Sequence, residues 1–274
     1  MRIISGKYRS RRLDSPPGLT TRPLPDRVRT SLFNLLREHF VDAAVLDCFA
    51  GTGSFGLEAA SIGASRVVLV EQNRRVAQIL QGNVDRLGAG DVCEVVVGDA
   101  LGTPALSRCP RPVHIVMMDP PYPLVKDREG WERVRRQAER LIGMLDDTGY
   151  LLLRTPWPFW HLVLPEGAEP TPPARRGKDG RGGKGRAGGG EAGRPKRREV
   201  IAADSDEAEL DAIDALEAEL AAAHPGATRV PADLSFPNAE GPETHVYKNT
   251  AVHFYMRADR ARPGPEPAEA GSGG

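Results

Sequence analysis

Between residues 44 and 154, short β-branched apolar runs alternate with segments of helical periodicity, and that alternation leaves few folds open to the chain. Residues 44–49 (AVLDCF), 66–71 (RVVLVE), 93–97 (CEVVV), 114–118 (HIVMM) and 150–154 (YLLLR) each have the length and composition of a buried strand. After the first run, Leu57, Ala60 and Ile62 recur at helical spacing, with Gly63 as the stop. After the second, Val76, Ile79, Leu80, Asn83, Val84 and Leu87 do so, ending at Gly88. Trp131, Val134, Ala138, Leu141, Ile142 and Leu145 form a third stripe. Strands that are apolar on both sides and joined by helices predict a doubly wound, parallel α/β sheet.

The flanks carry the charge. Lys and Arg number 37, as do Asp and Glu, yet the zero balance is a cancellation between blocks. Residues 1–37 hold nine Lys/Arg against Asp14 and Asp26, and residues 171–199 hold ten against three acids. Residues 204–219 hold eight Asp/Glu and no basic residue. An Arg-rich arm is an electrostatic footprint for a phosphate backbone, and equally the pattern of a solvated basic tail. The stripe Val28, Leu32, Leu35, Leu36 and Phe40 predicts a helix after Pro25-Asp26. Residues 165–200, rich in Pro, Gly, Arg and Lys, lack the apolar content to offset the entropy of ordering and are expected to be disordered. Residues 206–223 are expected to form an acidic helix, residues 244–257 the last strand of the sheet, and 258–274 a loose tail. Cys48, Cys93 and Cys109 offer neither a disulfide framework nor a zinc site, and suit a reducing cytoplasm. No run of about 18 apolar residues exists to cross a membrane, and the N-terminus carries no visible secretory leader.

The first strand leads into Asp47-Cys48-Phe49-Ala50-Gly51-Thr52-Gly53-Ser54-Phe55-Gly56, a G-x-G-x-x-G turn between strand and helix. Glycines there let the turn close and a ligand approach the backbone, with Phe49 and Thr52 beside it. Glu71, at the end of the second strand, can receive two ribose hydroxyls. The glycine pattern suits a nicotinamide dinucleotide as well as S-adenosylmethionine. Charge separates the two, because the Asp47 carboxylate would repel a pyrophosphate in a low-dielectric cleft, whereas S-adenosylmethionine brings an ammonium and a sulfonium. After the third strand, Asp99 and Ala100 are positioned for an adenine amino group. Singly, Asp47 reads as a helix cap and Asp99 as a turn residue; as an ordered set they fall in one crevice at the carboxyl ends of the strands.

Asp119-Pro120-Pro121-Tyr122 follows the fourth strand. Two prolines remove two backbone donors and fix φ, so carbonyls near the motif are expected to point outward as rigid acceptors. A carboxylate and an aimed carbonyl can hold the two N–H bonds of an exocyclic amino group, which turns its lone pair toward a methyl donor, while Tyr122 stacks on the base. The structural alternative is a Pro-rich turn opened by Asp.

Together these motifs resemble amino-group methyltransferases that use S-adenosylmethionine. The opening residues narrow the likeness: Arg2 to Leu13 (RIISGKYRSRRL), Arg22-Pro23-Leu24-Pro25-Asp26-Arg27-Val28-Arg29 and Leu32-Phe33-Asn34 resemble the start of the RsmD family. Val246-Tyr247-Lys248-Asn249-Thr250-Ala251 is similar to its closing strands. The resemblance implies a Rossmann-like class I methyltransferase with a mostly parallel seven-stranded sheet, helices on both faces and a basic N-terminal β/helical extension. It implies methylation of N2 of one guanine in 16S rRNA, within a small-subunit assembly particle. Asp119, Pro120, Pro121 and Tyr122 carry over as the catalytic segment, and Asp47, Phe49, Gly51, Thr52, Gly53, Glu71, Asp99 and Ala100 as cofactor contacts. Lys7, Arg9, Arg11, Arg12, Arg22, Arg27 and Arg29 are the expected RNA contacts, in a cytoplasmic, metal-free monomer. The implied organisation is an RNA-binding extension over 1–25, a catalytic domain over 26–164 and 244–257, and an insertion over 165–243. Leu24-Pro25, Thr30 and Lys248 depart from the family pattern, the last standing where a Gly is usual.

Three other readings share parts of this pattern. A DNA adenine or cytosine methyltransferase also carries Asp-Pro-Pro-Tyr, but would need a duplex-recognition domain. A non-catalytic rRNA-binding assembly factor would not need Asp119 and the glycine turn intact. A dinucleotide oxidoreductase would need a residue pair for hydride chemistry, and none is evident.

Overall fold

The apolar runs become the centre of a seven-stranded sheet in the computed structural model, which describes residues 1–16, 26–165, 211, 214–215, 217–219, 221–222 and 224–259. In chain order, the first half contains α1 (Asp26–Leu35), β1 (Ala44–Asp47), α2 (Gly56–Ile62), β2 (Arg66–Glu71), α3 (Arg74–Leu87) and β3 (Cys93–Val97). Then come α4 (Thr103–Arg108), β4 (Val113–Met118), α5 (Tyr122–Lys126), α6 (Arg128–Ile142) and β5 (Leu145–Pro156). The chain closes with β6 (Trp160–Val163), β7 (Thr228–Pro231), β8 (Ala239–Tyr247) and β9 (Thr250–Arg257).

The sheet order is β3-β2-β1-β4-β5-β9-β8, with β1 to β5 parallel and the β8–β9 hairpin antiparallel at its edge. This is a class I methyltransferase fold. Chain direction across the sheet reverses between β1 and β4, so a crevice opens at the carboxyl ends of those strands. Val45, Val67, Leu69, Ile115, Met117, Leu152 and Val252 line one face and pack with Leu32, Phe33, Leu57, Leu80 and Val84 of α1 to α3. On the other face Leu46, Val68, Val70, Val116 and Met118 are also buried, as are Trp131, Val134, Ala138 and Leu141 of α6. Burial on both faces explains why these strands read as continuous rather than alternating apolar runs.

Three expectations are corrected. The strand over 244–257 is a hairpin, turned at Lys248-Asn249 with Lys248 left-handed (φ 54°); without Gly, that turn leaves no signature in the sequence. The helix after Pro25 ends at Leu35, and a 3-10 turn (Arg37–Phe40) takes over. Leu35, counted in the core stripe, is half exposed, because Val28, Leu32 and Leu36 already define the inward line.

Residues 1–16 are strapped onto α2. An isolated bridge pairs Arg2 with Arg12, and Ile3, Tyr8 and Leu13 enter the core. The buried Glu58 carboxylate accepts from Ile4 N–H (2.8 Å), Ser5 N–H (2.7 Å) and the Ser5 hydroxyl (3.2 Å). Gly6 has φ 77°, and a Cβ there would lie 1.8 Å from the Ser61 carbonyl, so only Gly fits.

The chain divides into two compact units, Met1–His161 with Val230–Gly274, and Leu162–Arg229. In the second, Arg229 lies 4.0 Å from Glu217, within the acidic segment whose described residues are helical. The disorder expected over 165–200, and the tail from residue 260, fall outside the described residues apart from Pro165.

Candidate active site

β1, β2 and β4 end side by side, and each ends on a carboxylate or delivers one directly after it. Asp47 closes β1, Glu71 closes β2, and Asp119 follows β4. A turn of glycines joins Asp47 to α2. Gly53 has φ 90°, and a Cβ there would stand 2.5 Å from Leu80 Cδ1 and 2.7 Å from Leu57 Cδ1. The left-handed backbone angle therefore demands Gly at this position, and an added Cβ would also have to push two leucine side-chain ends aside.

Asp47 is 2% exposed, and its Oδ2 accepts the Gly56 N–H at 3.0 Å. The Asp47 carboxylate thus holds the first N–H of α2 from the end of β1, as the cap reading expects. Burial pushes its carboxyl up to about 7; the Gly56 N–H opposes this, and the charges of Asp119 and Glu71 add to it. Glu71 is also raised, by burial above all, although Asn73 N–H and Gly51 N–H donate to its two oxygens at 2.7 and 3.0 Å. A buried cluster of like charges is relieved by a cationic guest and aggravated by an anionic one. The donor set therefore fits the ammonium and sulfonium of S-adenosylmethionine and not a pyrophosphate.

The remaining cofactor candidates lie around the same turn. Phe49 is partly buried, and the Thr52 carbonyl accepts from Asn83 Nδ2 at 3.0 Å. Asn83 is a buried amide on α3 that also holds the Asp14 backbone, a role that its spacing in a helical stripe does not reveal. Asp99 stands at the end of β3, exposed, with Oδ1 on Leu101 N–H (2.9 Å) and Oδ2 on Arg133 (3.1 Å). The buried Ala100 gives its carbonyl to Gln137 at 2.8 Å.

The catalytic candidates differ from expectation in two respects. The Pro121 carbonyl does not point outward: it accepts from Leu124 N–H at 3.0 Å inside the first turn of α5. Tyr122 has no open face for a base either, since it is 0% exposed. Its ring lies under the Arg154 guanidinium, 5.3 Å from the centroid. Sequence reasoning missed Arg154. It is 0% exposed on β5, with Nε 3.2 Å from Asp119 Oδ1, and Asp119 retains 14% side-chain exposure. The available signal was a charge closing the apolar run YLLLR, two residues from a core Leu.

Lys7, Arg9, Arg11 and Arg12 are exposed on the N-terminal hairpin. Arg29 is not a surface contact as expected: it is buried on α1 and donates to the Arg2 carbonyl at 3.0 Å. Arg22 and the Arg27 side chain lie outside the described residues. Among the described residues no group of three or more His, Cys, Asp or Glu could hold a metal ion, and no helix is long and apolar enough to cross a membrane.

Residues 1–147 match the family described as conserved hypothetical protein 95. Ribosomal RNA small subunit methyltransferase D of Escherichia coli K12 is 41% identical over 151 residues, covering 55% of this chain and 69% of that protein. The Haemophilus influenzae protein of the same name is 34% identical over 123 residues, 44% of this chain and 64% of that one. The solved structure of the candidate methyltransferase yhhF from Escherichia coli aligns with a TM-score of 0.54 at 28% identity, over 94% of this chain and 97% of that one.

Proposed function

The chain belongs to the RsmD family, described as conserved hypothetical protein 95, and from that premise we propose that it methylates the exocyclic N2 of one guanine in 16S rRNA, with S-adenosylmethionine as donor. Relatives named as small-subunit rRNA methyltransferases support the RNA substrate. One observation carries the chemistry: Asp47, Glu71 and Asp119 converge at neighbouring strand ends, with Asp-Pro-Pro-Tyr leaving the last of them.

In this reading Asp47 takes the donor's ammonium, Glu71 its ribose hydroxyls, and the segment around Asp99 and Ala100 its adenine. The donor supplies an electrophilic methyl on a sulfonium. Asp119 accepts one N–H of the target amine, and the Pro120 carbonyl, the proline carbonyl not taken up by α5, accepts the other. Two fixed acceptors orient the nitrogen lone pair for in-line attack, so orientation contributes more than acid–base strength. Tyr122, enclosed beneath the Arg154 guanidinium, braces the Asp119 segment in this reading and does not stack on the base. Exposed Lys7, Arg9, Arg11 and Arg12 grip phosphates, which supply affinity and register but do not choose the base. The expected setting is a small-subunit assembly particle, the protein acting as a monomer.

The test incubates the protein with labelled donor and small-subunit particles from a strain lacking this gene, then maps the methylated nucleotide. Wild type is expected to mark one guanine at N2. Asp119→Asn, which keeps the side chain's shape and an oxygen beside Arg154, should slow transfer by about 100-fold or more while still binding the donor. Full activity of that variant, or a methyl group at another position, refutes the reading.

A further inference from the structure

We propose that Arg154 is a positioning residue for methyl transfer, holding Asp119 and Tyr122 so that the carboxylate stays an ionised acceptor aimed at the target amine. The proposal rests on the function just stated.

The backbone sets the arrangement. β4 stops at Met118, which pairs with Leu153, so Asp119 leaves the sheet one rung from Arg154. β5 runs on to Pro156 because β9 supports its other edge, pairing Arg154 with Val252 and Pro156 with Thr250. Arg154 is therefore fixed in mid-sheet where the Asp119 segment has already become a loop. From that anchor one side chain reaches both ends of the segment, with Nε 3.2 Å from Asp119 Oδ1 and the guanidinium 5.3 Å from the Tyr122 centroid. A planar guanidinium can pair and stack at once, which an ammonium cannot.

Charge explains why such a group would sit there. Asp119 faces Arg154 from β5, Asp47 from β1 with Glu71 beyond it, and the Tyr122 phenol. Without the cation, three carboxylates would share a partly buried crevice, and one that takes up a proton becomes a donor, the wrong polarity for holding an N–H. A guanidinium keeps its charge at any working pH, and so favours the ionised, acceptor form of the carboxylate beside it. Stability alone is a poor reason for this arrangement, because a fully buried ion pair is often matched or bettered by apolar residues of similar volume.

The test compares wild type, Arg154→Gln and Arg154→Lys in the full chain. Arg154→Gln should bind S-adenosylmethionine within about threefold of wild type but lose about 100-fold in kcat, the scale of a small misplacement of a reacting group. Arg154→Lys should fall between them. Independently of turnover, the Asp119 carboxyl carbon, followed by 13C NMR and assigned with Asp119→Asn, should titrate at higher pH in Arg154→Gln than in wild type. Wild-type kcat or an unmoved titration in Arg154→Gln overturns the proposal. Should Arg154→Gln fail to fold, Arg154→Lys decides: a clear loss of kcat with donor binding intact supports the assignment, and unaltered kcat overturns it. Absence of methyl transfer by wild type itself would refute the parent reading instead, and the Asp119 titration would still report on Arg154.

Discussion

Replacing Asp47 with Asn removes one buried charge and leaves the hydrogen bond from Gly56 N–H in place, since the amide oxygen can accept it. In wild type the carboxyl moves from an ordinary 3.8 to about 7 on folding. Above about pH 4 the unfolded chain releases this proton, while the folded chain keeps it until about pH 7. Stability from this group is therefore lost as pH rises through that window, by about 1.4 kcal/mol per unit. Between pH 5 and pH 8 the loss comes to about 3 kcal/mol, and Asp47→Asn does not suffer it. Urea unfolding of both proteins at the two pH values isolates the effect of Asp47 and its coupling to Asp119 and Glu71, because titrating groups that do not interact with it cancel in the difference. The variant's advantage should widen by about 3 kcal/mol, or about 1 M in midpoint for a domain of this size. The same variant should bind S-adenosylmethionine at least about tenfold more weakly, the usual opposition between stability and a strained site. A gap that stays constant with pH, or a variant less stable than wild type at pH 8, refutes the electrostatic account.

His253 is buried between the Thr155 and Thr244 hydroxyls, each 2.9 Å away, and burial pushes its imidazole down to about 4. Relative to His253→Gln, wild type should lose about 3 kcal/mol as pH falls from about 6.5 to about 4, measured by denaturant titration; a parallel pair of curves would contradict this. This slope opposes that of Asp47 over the same range, so the two contributions offset each other in the wild-type curve. Gly53→Ala should cost about 1–3 kcal/mol and weaken donor binding, because φ 90° is strained for Ala and the added methyl must displace the Leu80 and Leu57 side-chain ends; a wild-type melting temperature would show the turn to be tolerant. Lys248→Gly should raise stability by about 1 kcal/mol in thermal unfolding by relieving φ 54°, and no gain would mean the turn carries no strain.

Much of the sheet was legible because its evidence is local. Residues 66–71 and 93–97 match their strands in full, and Gly88 ends α3 in the left-handed conformation at φ 65°. The three carboxylates were legible for a related reason: a glycine turn and a Pro-Pro pair mark strand ends, and strand ends in a parallel sheet share one edge. What tertiary pairing alone decides stayed hidden. Arg154 reads as the close of a strand, Glu58 as an ordinary helix acid and Asn83 as part of a stripe, until folding brings Asp119, the N-terminal backbone and the glycine turn against them. Tyr122 failed differently, since the sequence supplies an aromatic next to the acceptors but not the helix that encloses it.

The clasp between Glu58 and Ile4-Ser5 ties the basic hairpin to α2, the helix that follows the glycine turn. If RNA is gripped on Lys7, Arg9, Arg11 and Arg12, the hairpin works as a ruler and not as a tether: the gripped phosphates and the nucleotide offered to Asp119 must lie a set span apart. Trimming the hairpin would then do more than weaken the grip, because it would leave the buried Glu58 carboxylate without its hydrogen-bond donors.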